Sequence, residues 1–187
     1  MRILTKDEFK IEQEIFLQKI LEGAIFIYPT DTIYGLGCNA LNKNAVKKIR
    51  YLKGADTNPF SVIAPSKEWI VENCEADKKY LDLLPGRITL VLKLKNKKAV
   101  ASNVNMNKGD LGVRIPEYWI SEIARTLKIP IVTTSVNRIH EMYMTSLEDL
   151  DNEIKKNVDF IIYEGKIKGK PSQVIRVSKG KEEKLRK

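Results

Sequence analysis

The sequence predicts an α/β fold, a β-sheet with helices packed on it. Three observations carry this expectation. Short apolar runs recur along the chain, stretches with helical spacing or cap signals separate them, and no internal repeat or composition break interrupts the 187 residues. Domains run at roughly 100–200 residues, so a single domain over 1–187 is expected.

The elements follow in order. Thr5 to Glu8 spells a capping box, in which the Thr hydroxyl and the Glu carboxylate satisfy free amides at a helix start. Phe9, Ile11, Ile15, Phe16 and Ile20 give an imperfect helical stripe, so one helix is expected to about Glu22, ended by Gly23. Residues 24–28 read as a buried strand, 29–37 as a loop, 42–52 as a helix and 59–64 as a second strand. Ser66 and Asp77 are placed to cap short helices. Residues 84–86 form a turn, 88–94 a strand, and the polar, Asn-rich 95–109 a loop. A strand over 111–115 is stopped by Pro116, a helix covers 118–127 and a strand 130–134. Ser146 to Asp149 looks like another helix start, and 158–163 and 173–177 are strands.

Composition bounds the function. The chain has 33 Lys and Arg against 24 Asp and Glu, net +9, which points to an anionic partner. Residues 164–187 hold nine of the basic and three of the acidic residues, net +6, so the body carries only +3. A solvated, frayed end is the simplest reading of such a tail. No apolar run approaches the roughly 18–20 residues of a membrane span, and residues 1–10 lack an apolar signal region. A cytoplasmic protein without a membrane partner is expected. Cys38 and Cys74 stand apart and His140 is the one histidine, so neither a disulfide framework nor a metal site is expected.

Four loops offer chemistry. Pro29 to Gly37 directly follows a buried strand, where open α/β sheets bind ligands. It supplies Thr30, Asp31, Thr32 and Tyr34, with Gly35 and Gly37 for positive φ or close approach; an Asx-type turn feeding a helix is the structural alternative. Lys53 stands at a helix end, able to bind an anion or simply to sit solvated where the dipole favours it. Arg114 lies within an apolar strand and needs a partner, either an internal carboxylate or a ligand carboxylate or phosphate. Val132 to Asn137 ends a strand in hydroxyls, suited to a phosphate or sugar or to turn capping; Ser135 has no His base at a fixed spacing.

Together these segments resemble the YrdC-like threonylcarbamoyl-AMP synthase family, from about Gly23 to Arg186. Tyr28 to Gly37 looks like its P-T-[DE]-T-x-Y-G-L-G signature, and Lys53 falls on the Lys of K-x-R. Leu84 to Leu90 is similar to P-G-x-x-T, Gly112 to Pro116 to G-x-R-x-P, and Thr134 to Asn137 to T-S-A-N. Ser172 to Val174 resembles S-T-V, and Leu185-Arg186 the closing L-R. The resemblance implies a twisted, mixed parallel and antiparallel sheet with helices packed on it and an open basic cleft. It implies condensation of L-threonine, bicarbonate and ATP into threonylcarbamoyladenylate and pyrophosphate, for threonylcarbamoyladenosine in tRNA, with a separate transferase downstream. It places Thr32, Arg114, Thr133 and Ser172 at threonine, Lys53 near bicarbonate or phosphate as the catalytic group, and Asn58, Ser135, Asn137 and Arg186 at ATP. Mg2+ would travel with ATP through phosphate oxygens and water, without a protein cage.

Departures stand out. Ala55 takes the Arg position of K-x-R, Arg138 and Ile139 replace the S-G after T-S-A-N, Tyr143 stands where a second serine is expected, and Asp110 where a Thr is frequent. These support an alternative, a weakly active or inactive relative that binds tRNA or double-stranded RNA.

Overall fold

The computed structural model describes residues 1–54, 57–178 and 181–186. In chain order the elements are β1 (Arg2–Leu4), α1 (Lys6–Ile11), α2 (Gln13–Glu22), β2 (Phe26–Tyr28), β3 (Gly35–Gly37), α3 (Lys43–Lys53), β4 (Ser61–Ile63), α4 (Lys67–Asn73), α5 (Lys78–Leu81), β5 (Ile88–Lys93), β6 (Asp110–Arg114), α6 (Ser121–Leu127), β7 (Ile131–Ser135), α7 (Asn152–Asn157), β8 (Phe160–Ile162), β9 (Gln173–Ser178) and β10 (Lys181–Arg186). A single 3-10 turn, Leu147–Asp149, precedes α7. The α/β expectation holds. No helix among the described residues is long and apolar enough to cross a membrane.

The strands form one sheet in the order β1-β8-β2-β3-β7-β4-β6-β5-β9-β10. Pairings β1/β8, β2/β8, β4/β6 and β5/β9 are parallel, and the other five are antiparallel. The sheet is thus mixed and open, as expected.

Local chemistry explains most boundaries. Thr5 and Glu8 close their capping box, the Asn42 side chain accepts from the amides of Asn44 and Ala45, and the Ser66 side chain accepts from Trp69 N. Gly23 and Gly54 end α2 and α3 in the left-handed region at φ 102° and 64°.

Several expectations are corrected. The single helix to Glu22 is two, broken at Glu12, and Ile11 and Ile15 of the expected stripe are exposed while Phe9, Phe16 and Ile20 are buried. Residues 35–37 are strand β3, so the preceding loop feeds a strand and not a helix. Asp77 sits at the start of α5 but makes no side-chain cap bond. Ser146 opens only the 3-10 turn, and the helix beyond it starts at Asp151, whose carboxylate accepts from Ile154 N at 2.9 Å. The basic tail is not a frayed end over its described part: β9 pairs with β5, and β10 pairs back on β9. Ile175 and Val177 of β9 are buried in the core, whereas β10 is exposed throughout and is held by backbone pairing.

Period 2 sorts the side chains of the central strands onto two faces. Ile27, Val62, Val132 and Ile161 join the cluster under α3, α4, α5 and α7. Phe26, Tyr28, Ile63, Ile131, Phe160 and Ile162 join Phe9, Phe16, Ile20 and Ile123 of α1, α2 and α6 on the opposite face. Phe160 stacks on Phe26 at 5.1 Å and meets Phe16 at 4.7 Å.

Chain packing around β3 requires its glycines. A Cβ on Gly37 would sit 2.3 Å from the Val132 carbonyl oxygen and 2.8 Å from Tyr28 Cε1. Gly37→Ala should therefore destabilise the protein by about 1–3 kcal/mol, the scale of overpacking, as read by chemical denaturation. A midpoint equal to that of the unsubstituted chain would show that the strand yields freely.

Candidate active site

The helical cluster of α1, α2 and α6 covers only part of its sheet face. Where the helices stop, the same face continues as the floor of a cleft of about 540 Å³. One registered row crosses five strands there: Thr133 of β7 lies opposite Ser61 of β4, Ser61 opposite Gly112 of β6, Gly112 opposite Val91 of β5, and Val91 opposite Arg176 of β9. All five line the cleft. One row nearer the helices the β4 and β7 positions are Ile63 and Ile131, both buried under the helices. The face thus changes from apolar to polar and small within one step of the pleat.

The Thr30–Ile33 loop forms one wall. Thr30 Oγ1 accepts from the amides of Thr32 and Ile33 at 3.1 and 3.2 Å and donates to the Ile33 carbonyl at 2.6 Å. The turn is therefore organised by Thr30, and not by Asp31 as an Asx turn would be. That frees Asp31 for β6. Its Oδ1 meets Arg114 Nη2 at 2.5 Å, with both side chains only 6% exposed, and its Oδ2 accepts from Glu117 N at 3.1 Å. Arg114 Nη1 donates to Thr32 Oγ1 at 3.2 Å, while Arg114 Nε is buried with no partner. Of the two readings of Arg114, the internal carboxylate is realised, yet donor capacity remains. Burial lowers the Arg114 pKa and Asp31 opposes that shift.

Tyr34 is held by the segment that follows β8: its hydroxyl donates to Gly165 O at 2.6 Å and accepts from Glu164 N at 3.1 Å, and its ring stacks on Tyr163 at 5.7 Å. Burial pushes its phenol up to about 12. The segment from Gly165 onward packs onto the loop so closely that a Cβ on Gly169 would lie 1.6 Å from Thr32 O.

The tail supplies the facing wall. Ser172 Oγ shares a hydrogen bond with Thr89 Oγ1 at 2.8 Å. Arg186 of β10 donates from Nε to Ser172 O at 2.9 Å and from Nη2 to Ser172 Oγ at 3.3 Å. Burial, and then the nearby positive Arg114, lower the Arg186 pKa. Both guanidinium groups line the one cleft, where positive groups favour an anion.

Lys53 is neither solvated nor on the cleft wall. It is 5% exposed, and its Nζ donates to Ser135 O and Asn137 O, both at 2.7 Å, and to Asn137 Oδ1 at 3.2 Å. The Asn137 carboxamide is consumed in the same turn: Oδ1 accepts from Ser135 Oγ at 2.5 Å, and Nδ2 donates to the carbonyls of Arg138 and Glu141. Burial pushes the Lys53 ammonium down to about 8.

The Sua5/YciO/YrdC family model, described as Telomere recombination, matches residues 18–187. The chain belongs to this family. A curated relative from Methanocaldococcus jannaschii, named putative threonylcarbamoyl-AMP synthase, is 36% identical over 185 residues, covering 95% of this chain and 86% of the relative. The uncharacterized protein YciO of Escherichia coli K12 is 27% identical over 163 residues, covering 83% of this chain and 79% of YciO. A crystal structure of P. abyssi Sua5 complexed with L-threonine matches with a TM-score of 0.86 at 26% identity, covering 99% of this chain and 56% of that one. This chain thus spans just over half the length of that Sua5.

Of the residues singled out by likeness to the Sua5/YciO/YrdC family, Thr32, Arg114, Thr133, Ser135, Ser172 and Arg186 line the one cleft. Lys53, Asn58 and Asn137 do not line it: Lys53 and Asn137 build the turn behind Ser135, and the Asn58 carbonyl accepts from Arg50 Nη1 at 2.9 Å. Ala55 lies outside the described residues. Sequence reasoning missed Lys108 and Arg176, which also line the cleft. A signal for Arg176 existed, a charge alternating with the apolar residues of β9. Tyr143, noted only as a departure, lines the cleft too and donates from its hydroxyl to Gly169 O at 3.2 Å.

Because burial pushes the Lys53 ammonium down to about 8 in the folded chain, against about 10.4 for a free lysine, the unfolded chain binds more protons between those values. Its contribution to stability therefore rises with pH across that window and falls away as pH drops through about 8. Lys53→Met should flatten the pH dependence of the unfolding free energy between pH 8 and 10. An unchanged slope would assign that dependence to another group.

Proposed function

We propose that this chain is an L-threonylcarbamoyladenylate synthase, which condenses L-threonine, bicarbonate and ATP and releases pyrophosphate, for threonylcarbamoyladenosine modification of tRNA. The observation that carries the reading is Arg114: a guanidinium buried on the wall of a cleft, oriented by Thr32 and Asp31, with its Nε–H unpartnered. An unpaired buried donor on a ligand-sized cleft invites an acceptor, and a carboxylate bound bidentately is the natural one. The name of the M. jannaschii relative and the L-threonine in the Sua5 complex support threonine as its owner.

The chemistry needs no nucleophilic side chain. The threonine amine attacks carbon dioxide formed from bicarbonate, a C–N bond forms, and a proton leaves to give the carbamate. A carbamate oxygen then attacks the α-phosphorus of ATP, the bond from that phosphorus to the bridging oxygen breaks, and pyrophosphate departs. Positioning and charge stabilisation carry such a step. In this reading Arg114 and Thr32 hold the threonine carboxylate, with Thr133 and Ser172 nearby. Ser135 and Arg186 contact ATP, while Lys108 adds positive charge to the same cleft; Arg176 there is offset by Asp110 at 3.8 Å and Glu183 at 3.6 Å. Lys53 acts as a positioning residue for the Ser135–Asn137 turn, which revises the catalytic role implied by K-x-R.

Among the described residues no group of three or more His, Cys, Asp or Glu side chains could hold a metal ion. Mg2+ carried on the phosphates of ATP would offset charge on the departing pyrophosphate. We also read residues 1–187 as one domain, working in the cytoplasm and handing its product to a separate transferase that modifies tRNA.

The test is pyrophosphate release from ATP, expected only when L-threonine and bicarbonate are both present. Release independent of threonine would overturn the reading, and tRNA binding without any turnover would favour a non-catalytic relative. Arg114→Ala should lower kcat/KM for threonine about 10- to 100-fold, the scale of losing a charge-assisted pair, with KM for ATP changing far less. Unchanged threonine kinetics would remove Arg114 from the carboxylate site.

A further inference from the structure

The cleft must keep two kinds of anion apart. A carboxylate and a triphosphate both seek arginine, and Arg114 and Arg186 line the same cleft. Their surroundings differ in one respect. Arg114 is neutralised by the buried Asp31 carboxylate. Arg186 bonds to the uncharged Ser172 and has no carboxylate within ion-pair distance among the described residues.

We propose that Asp31 is a specificity-determining residue: by cancelling most of the Arg114 charge, it reserves that guanidinium for a carboxylate and turns phosphate away towards Arg186. The inference rests on the proposed threonine and ATP site. A singly charged carboxylate can accept the unpartnered Nε–H of Arg114 while the Arg114–Asp31 pair stays intact. A phosphate brings more negative charge against the fixed charge of Asp31, in a site shielded from water where that repulsion is weakly screened. Asp31 is well placed for this task. It cannot swing away without releasing Glu117 N as well as Arg114, and the turn that carries it is braced by Thr30 and not by its own carboxylate. Its removal therefore changes the charge at Arg114 without dismantling the turn. Among the described residues Asp31 is the ion-pair partner of Arg114, and Lys108, Asp110, Arg176 and Arg186 are the other charged residues that line the same cleft.

The experiment compares the full-length protein with Asp31→Asn and with the Asp31→Asn, Arg114→Ala double variant, by calorimetric titration with inorganic phosphate and, separately, with L-threonine. Asp31→Asn should bind phosphate at least tenfold more tightly than the parent, the double variant should lose that gain, and phosphate should compete with threonine only in Asp31→Asn. Phosphate affinity within threefold of the parent, or a gain that survives loss of Arg114, overturns the inference. The phosphate arm needs no threonine, so threonine failing to bind any variant counts against the proposed function alone. Circular dichroism checks folding, and if Asp31→Asn does not fold, Asp31→Ser, which keeps an acceptor for Glu117 N, carries the same expectations. Asp31→Glu, which retains the charge, should keep phosphate affinity at the parent level; a tenfold gain there would reduce Asp31 to a structural brace.

Discussion

The pleat of the central sheet is the constraint on which the rest depends. Side chains alternate strictly between two faces, and one face is roofed by helices over only part of its width. Under the roof the strand positions are Phe, Tyr and Ile. Beyond it the registered row of Thr133, Ser61, Gly112, Val91 and Arg176 is polar, small or long-stemmed. Gly112 belongs to this row for a steric reason, since a Cβ there would lie 2.3 Å from Ser61 Oγ. A one-residue slip of any of these strands would drive the polar row into the opposite core, so the register that builds the core also builds the cleft.

Around that floor, close packing of backbone replaces bulky walls. Gly169 lies against the Thr32 carbonyl, Gly35 against the Tyr28 ring, and Tyr34 pins the segment after β8 through Gly165 and Glu164. The loop bearing Thr32 is thereby fixed on both sides before any substrate arrives. Arg114 then faces a site whose geometry is preset, which is the condition for electrostatic catalysis without a reactive side chain.

Much of this was visible in the residue order, though unevenly. The helix starts at Thr5 and Ser66 follow from cap chemistry acting within four residues, and the buried strands from apolar runs. Of the strands not foreseen, β1 and β3 pair with the distant β8 and β7, while β10 pairs back on its sequence neighbour β9. Nothing in Lys181–Arg186 alone, exposed throughout and mostly charged, announces a strand. The break at Glu12 was foreshadowed by the imperfect stripe but could be placed only by seeing which of Phe9, Ile11 and Ile15 reach the core.

The sequence by itself determined the fold class, the family and the chemical character of the site: hydroxyls, carboxamides and guanidinium groups, with one histidine and isolated cysteines. These follow from local spacing and motif content, which a chain carries before it folds. Tertiary structure alone decided how those groups divide their work. Lys53 was drawn inward to hold a turn, because three backbone and carboxamide oxygens of residues 135–137 surround its ammonium. Asp31 was assigned to Arg114, 83 residues away, because β6 runs beside β4 and ends at the loop after β2. Arg186 came from a charged tail to Ser172 because β10 folds back on β9. Each assignment depends on which strands become neighbours, a choice that composition and spacing do not encode.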